Sequence, residues 1–226
     1  MDAPDVSDAA LHLCLGELDS INRWLGGYAV TLRGLEELLP VRAEPWRIVD
    51  VGCGGGDTLR AIAAWGERTG RTLELTGIDM QGGCLDYARR TCAGLDIEFV
   101  ESDYRDVDRT WDVVASSLFC HHLSDQQLAE FLAWSHASAD RGLVVNDLQR
   151  HPVAWLAIRS VLAVFGASPM VRHDGPLSVL RGFHATELQR ALAASPWHAD
   201  LNWQWAFRYR VIGRTAPNSS SIQDVS

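Results

Sequence analysis

Arg47-Ile48-Val49-Asp50-Val51-Gly52-Cys53-Gly54-Gly55-Gly56-Asp57-Thr58-Leu59 is the stretch on which the fold turns. A short apolar run ends at an acid, crosses glycines and meets helix-forming residues. That order reads as strand, tight turn, helix, with an apolar run suited to a strand buried on both faces. Glycine gives the turn positive φ and lets a ligand approach with no Cβ in the way. Asp57 or Thr58 is placed to cap the helix. Two ligand classes use such a turn. A dinucleotide lays its pyrophosphate on bare helix N–H groups through G-x-G-x-x-G. Gly52 and Gly54 fit that spacing, but Asp57 stands at the third glycine, where a carboxylate repels phosphate. A nucleoside with a cationic tail, by contrast, is favoured by acids there. A plain glycine turn in an α/β protein is the bland alternative.

Working outward, Thr72-Leu73-Glu74-Leu75-Thr76-Gly77-Ile78-Asp79 is a second strand ending in an acid, placed to bind ribose hydroxyls. Ile97-Glu98-Phe99-Val100-Glu101-Ser102-Asp103 is a third, ending in polar groups suited to an adenine amino group. Trp111-Asp112-Val113-Val114-Ala115-Ser116-Ser117-Leu118-Phe119 is a fourth. All four tips fall at one sheet edge, where open α/β sheets bind ligands.

Val49 to Gly56, Gly77-Ile78-Asp79-Met80, Ser102-Asp103 and Ser117-Leu118-Phe119-Cys120-His121-His122-Leu123 together resemble the class I S-adenosylmethionine-dependent methyltransferases, over roughly residues 20 to 214. The resemblance implies an α/β fold: a Rossmann-like, doubly wound, mostly parallel seven-stranded sheet with an antiparallel C-terminal strand and an N-terminal helical lid. It implies S-adenosylmethionine as cofactor. Asp50, Gly52, Cys53, Gly54 and Asp57 would hold its methionine part. Asp79 and Met80 would hold ribose and adenine, and Ser102, Asp103 and Tyr104 would frame the adenine. Ser117, Leu118 and His121 would complete the wall under the sulfonium.

The 226 residues are 47% hydrophobic and 22% charged, the balance of an ordinary globular domain with a full core. A net charge of -9 speaks against a general nucleic-acid binder. There is no apolar run of membrane-spanning length and no signal-peptide pattern, so a cytoplasmic location is expected. Cys14, Cys53, Cys84, Cys92 and Cys120 are odd in number and lack C-x-x-C spacing, which reads as reduced thiols.

Ser7 to Leu39 reads as two amphipathic helices with a break near Asp19-Ser20, placing Ile21, Leu25 and Leu32 on one face of the second. Gly26-Gly27 then falls inside that helix, as a kink or as part of a lid. After the glycine turn, helices are expected over Asp57–Thr69 and about Gln81–Ala93, with strands at Arg47–Val51, Thr72–Ile78, Ile97–Glu101 and Asp112–Ser116. A capping box, Ser124 with Gln127, opens the next helix. Gly142–Asp147 is the fifth strand, and Pro152–Phe165 an apolar helix with proline in its first turn. Gly166–Gly182 reads as less regular. A short helix over Ala185–Ala194, with Thr186 as cap, precedes a closing hairpin of Trp197–Gln204 and Trp205–Gly213. The domain reading is therefore 1–40 as helical lid, 41–214 as methyltransferase domain and 215–226 as a disordered tail, residues 1 to 6 being a loose end.

Methyl transfer from a sulfonium is a direct displacement, so the protein must align the partners and exclude water, with a base to help if the acceptor is a hydroxyl. No metal is required. Adjacent His121 and His122 diverge in direction and suit one ion poorly. His121 is a ligand contact or base; His151 is a base or only the residue ahead of Pro152; His173, between Arg172 and Asp174, is an oriented base or a solvated loop histidine. Asn146 and Asp147 follow the fifth strand, where acceptors lie in similar enzymes; Asp147 could equally form a local turn. Of nine tryptophans, Trp24 and Trp155 could wall the acceptor pocket, whereas Trp46, Trp111, Trp197, Trp203 and Trp205 are expected to pack the core. These features favour a small, flat, apolar acceptor (a phenol, quinone or polyketide-like molecule, as in secondary metabolism), with oxygen methylated ahead of carbon. The expected partner is that acceptor, with no nucleic acid, and a homodimer is compatible. The rivals are a nicotinamide-dependent oxidoreductase and a non-catalytic scaffold keeping the cofactor fold.

Overall fold

The computed structural model describes residues 7–164 and 166–215. The expected loose end at 1–6, the helix end at Phe165 and residues 216–226 of the expected tail lie outside them, while Thr215, the first residue of that tail, is described and its hydroxyl donates to the Asp140 carbonyl at 2.9 Å. Seven strands form one sheet: β1 (Trp46–Val51), β2 (Leu73–Asp79), β3 (Ile97–Glu101), β4 (Trp111–Ser117), β5 (Ala139–Leu148), β6 (His198–Gln204) and β7 (Arg208–Arg214). Their spatial order is β3-β2-β1-β4-β5-β7-β6. β7 runs antiparallel to both β5 and β6, and the pairs from β3 across to β5 are parallel. The chain leaves β1 toward β2 on one side and returns to β4 on the other, so the switch point lies between β1 and β4.

Strict alternation of apolar residues builds a core on each face. Ile48, Val113, Val144 and Ile212 pack with Leu35 and Leu38 of α2 (Gly27–Leu38) and Leu59 and Ile62 of α3 (Asp57–Thr69). Val49, Val114, Val145 and Val211 face the other way, against Phe131 of α5 (Asp125–Ser138) and Leu188 and Leu192 of α8 (Ala185–Ala193). α4 (Gly82–Thr91) adds Leu85 to the first face.

α1 (Asp8–Trp24), α6 (Pro152–Val164) and α7 (Pro169–Arg181) share a third, smaller cluster that includes Cys14, Leu18, Leu162 and Val171. Glu17 of α1 clamps the start of α7, accepting from the Ser168 amide at 3.0 Å and its hydroxyl at 2.7 Å.

Several boundaries differ from expectation. The N-terminal break falls at Leu25-Gly26, where Gly26 takes φ 71°, and not near Asp19-Ser20. Ile21 therefore belongs to α1, and the glycine pair separates two helices instead of interrupting one. The region 166–182 contains α7; Ser168 caps it and Pro169 opens it, while Gly175 and Pro176 weaken its sequence pattern. The cap of α8 is His184, whose amide donates to Glu187 Oε2 at 2.8 Å, so Thr186 already lies inside the helix. The Ser124–Gln127 capping box is present as expected. Trp46, Trp111 and Trp197 are buried, but Trp203 and Trp205 are 52% and 70% exposed because they sit at the free end of the β6–β7 hairpin. None of the described helices is long and apolar enough to cross a membrane.

Candidate active site

A cavity of about 580 Å³ opens over the C-terminal ends of the central strands. Every residue assigned to the cofactor by resemblance lines it. Its floor is the glycine turn. Gly52 and Gly54 hold φ of 71° and 49°, in the left-handed region. A Cβ on Gly52 would stand 2.3 Å from Phe119 Cδ2, whereas one on Gly54 would meet nothing within 4 Å. Glycine is thus required at 52 for packing, and at 54 for backbone shape. The amide of Gly54 donates to Asp79 Oδ2 at 2.9 Å, and that of Gln81 donates to Oδ1 at 2.9 Å, which fixes the second acid beside the turn.

Three carboxylates converge here. Burial, and then the charges of Asp57 and Asp79, hold Asp50 well above the usual carboxylate range. Burial also raises Asp57 against a hydrogen bond from Tyr28, and raises Asp79 against its backbone donors. Asp50 Oδ1 is buried with no partner. A buried, unsatisfied acid among like charges calls for a cation with donors. The ammonium of S-adenosylmethionine meets that need and its sulfonium adds a second positive charge, while a pyrophosphate would worsen the repulsion.

Tyr28 bridges two of the site's neighbours. Its hydroxyl lies 2.7 Å from Asp57 Oδ2 and also contacts Asp19 Oδ1, and Arg60 holds Asp19 Oδ2 at 2.8 Å. α1, α2 and α3 are tied together through this knot. On the adenine side, Arg105 binds Asp103 at 2.6 Å and holds its carboxyl below the usual range. Tyr104 is buried edge-on against Phe131. Leu118 takes φ 58°, an uncommon conformation for a branched side chain, at the tip of β4. Its amide is held by the carbonyl of Asn146 at 2.9 Å.

His121 lies in a 3₁₀ turn, Cys120–His122, just after β4. Its Nδ1 is 2.7 Å from Asp147 Oδ1, and its amide donates to Oδ2 at 3.1 Å. Burial alone would raise Asp147; the contact with His121 outweighs it and lowers the carboxyl. With Nδ1 taken up by Asp147, Nε2 is buried without a partner. His121 and its neighbour His122 both line the cavity.

The acceptor candidates divide. Asp147 meets His121 and does not itself line the cavity. Asn146 is fully buried and joins elements, donating to the Gly27 carbonyl, Thr31 Oγ1 and Ser117 Oγ at 2.9 to 3.3 Å. Trp24, Trp155, His151 and His173 are not among the lining residues. Trp24 is 84% exposed at the end of α1, because the helix stops there and turns its last residue outward. Trp155 carries the Arg159 guanidinium over its ring. His151 stacks on Phe207 and accepts from the Val153 amide at 3.2 Å. His173 is solvated on α7, 3.1 Å from Asp174. Arg208 and Asn22 line the cavity and escaped the sequence reading, and Trp205, expected in the core, lines it too. None carries a local motif, and each arrives through packing distant in the chain.

Residues 48–142 match the family model described as a methyltransferase domain. Solved structures agree in fold. The magnesium protoporphyrin IX methyltransferase of Synechocystis PCC 6803, with bound SAH, is 13% identical, with a TM-score of 0.56 over 95% of this chain and 90% of that one. An S-adenosylmethionine-dependent methyltransferase from Aquifex aeolicus is 15% identical, with a TM-score of 0.63 over 94% and 100%. Human N-acetylserotonin methyltransferase, in complex with S-adenosylmethionine, is 12% identical, with a TM-score of 0.66 over 93% of this chain and 57% of its own. No curated protein matches the sequence. The match to a methyltransferase domain over residues 48–142 and the shared fold are what the class I S-adenosylmethionine-dependent methyltransferase resemblance implies. The matched domain and the cradle of acids support an S-adenosylmethionine-dependent methyltransferase with S-adenosylmethionine as cofactor, against the nicotinamide rival.

Proposed function

We propose that the enzyme methylates a small, largely apolar acceptor, such as a phenol, quinone or polyketide-like aromatic, at oxygen in preference to carbon. The observation that carries this reading is His121 on the cavity wall, held from behind by Asp147 and with Nε2 lacking a partner. S-adenosylmethionine, when bound, supplies a methyl group already activated on a sulfonium. Asp50, Asp57 and Asp79 would hold its cationic and hydroxyl groups in the assigned positions. His121 Nε2 would take the proton of an acceptor hydroxyl, and Asp147 would keep the imidazole in the tautomer that allows it. His151 and His173 are the lesser candidates for the base because neither meets the cavity.

Apolar side chains of the roof, Leu18, Ile21, Ile158 and Leu162, support a greasy acceptor and the exclusion of water. Within the proposed division, with its lid at 1–40, its methyltransferase domain at 41–214 and its tail, α1 is the part that would move. α2 is packed on the sheet. An open cavity speaks against a scaffold without catalysis. Work in the cytoplasm on secondary metabolites, without nucleic acid and with a homodimer as an option, completes the proposal.

The test is a screen of phenols, quinones and polyketide aromatics with isotopically labelled S-adenosylmethionine, read by product mass. A product labelled on oxygen is expected. Labelling on carbon or nitrogen alone would overturn the preference, and no labelled product from any aromatic would overturn the acceptor class.

A further inference from the structure

Arg208 is the first residue of β7, opposite Leu148 of β5, and it lines the cavity. It is 2% exposed. Its Nη2 donates to Asn22 Oδ1 at 3.0 Å, and its Nε and Nη1 have no partner. Among the described residues no carboxylate lies within ion-pair distance of it. The next residue on the same face of β7 behaves otherwise: Arg210 meets Glu37 at 2.8 Å. Arg214, further along, meets Asp200 at 2.6 Å. Asp147 is the nearest acid by influence, yet its oxygens already serve His121 and the Leu148 amide. Burial lowers the guanidinium to about 10, still well above neutrality, so it is charged in use. A buried guanidinium with no carboxylate in contact is costly, and a resident anion relieves the cost.

On the reading that this cavity binds a small aromatic acceptor, we propose that the acceptor is an aromatic hydroxy acid whose carboxylate pairs with Arg208. Arginine suits a planar carboxylate better than any other cation does. The carboxylate of the cofactor is the competing occupant. It belongs beside the glycine turn after β1, and β7 lies three strand spacings from β1, on the order of 14 Å. The reacting hydroxyl would then lie toward His121, whose partner Asp147 adjoins Leu148, the residue opposite Arg208.

The experiment titrates 1-hydroxy-2-naphthoate and its methyl ester into enzyme saturated with SAH, by calorimetry. The acid is expected to bind about tenfold tighter than the ester, as a charge-assisted contact requires. Arg208→Gln should abolish that preference, and Arg208→Lys, which keeps the cation, should retain part of it. Arg208→Lys alone carries the test if the glutamine variant does not fold. An ester that binds as well as the acid, an acid that does not bind, or a preference that survives Arg208→Gln would each overturn the inference. So would a loss of SAH affinity in Arg208→Gln with the acid preference intact, since Arg208 would then serve the cofactor. Acid binding without any product from labelled S-adenosylmethionine would instead count against the proposed function and leave the anion site standing.

Discussion

Asp79 meets two backbone amides through separate oxygens, which leaves the remaining lone pairs of each for ligand hydroxyls. Asp79→Ala should therefore weaken cofactor binding by about 1–3 kcal/mol. Calorimetry with SAH checks it, and unchanged affinity would put the ribose elsewhere. His121→Ala removes the proposed base, so turnover on a hydroxyl acceptor should fall by about 10²–10⁴ while SAH affinity shifts little. Asp147→Asn leaves the geometry but frees the tautomer, so it should lower turnover and alter its pH profile; a profile identical to that of the wild type would remove Asp147 from a positioning role. At this scale the sequence reached the residues that sit beside a recognisable turn. It did not reach Arg208, Asn22 or Tyr28, whose partners lie 186, 186 and 29 positions away. Their roles follow from folding, which no local pattern encodes.

The strands and the helices after each strand were readable because periodicity and glycine punctuation agree along them: α3 and β3 fall where the sequence places them. α7 was missed because Gly175 and Pro176 imitate a loop, yet the Glu17 clamp and packing against α6 hold it helical. The α1–α2 break was misplaced because both sides of Asp19-Ser20 are good helix, whereas the left-handed Gly26 is where the chain turns. Tyr28 has a single proton to share between Asp19 and Asp57. One of those acids must carry a proton of its own or tolerate repulsion, and the raised Asp57 is the one suited to it. Tyr28→Phe should loosen α1, costing about 1 kcal/mol. Amide exchange should speed up along α1 and stay unchanged in β4 and β5. Equal protection in variant and wild type would show that the apolar cluster with α6 and α7 holds the roof unaided.

Across the whole molecule the raised acids set a pH dependence. Unfolded, Asp50, Asp57 and Asp79 titrate near the ordinary carboxylate value; folded, they hold their protons to higher pH. Over that window the native state binds more protons, so the three acids make the free enzyme less stable as pH rises. Asp147, lowered, contributes the opposite way: its stabilisation is present above the ordinary value and lost as pH falls through its folded value. A bound cation favours the ionised forms of the three acids, so affinity for S-adenosylmethionine should climb across the window and then level off. Melting curves at about pH 4 to 8, with and without cofactor, measure the difference directly. Parallel curves would mean that the acids do not face the cation.

Each of the five cysteines is buried, and they are spread over distinct parts of this machine. Cys14 sits in the roof, and Cys53 and Cys84 lie by the floor. Burial pushes Cys14 up to about 11 and Cys84 up to about 12, so neither offers a thiolate while its surroundings stay closed. The native molecule consequently carries its own set of clocks: alkylation, followed peptide by peptide, times the first gap to appear in each wall, and a ligand that seals the chamber should slow Cys14 before it slows Cys120.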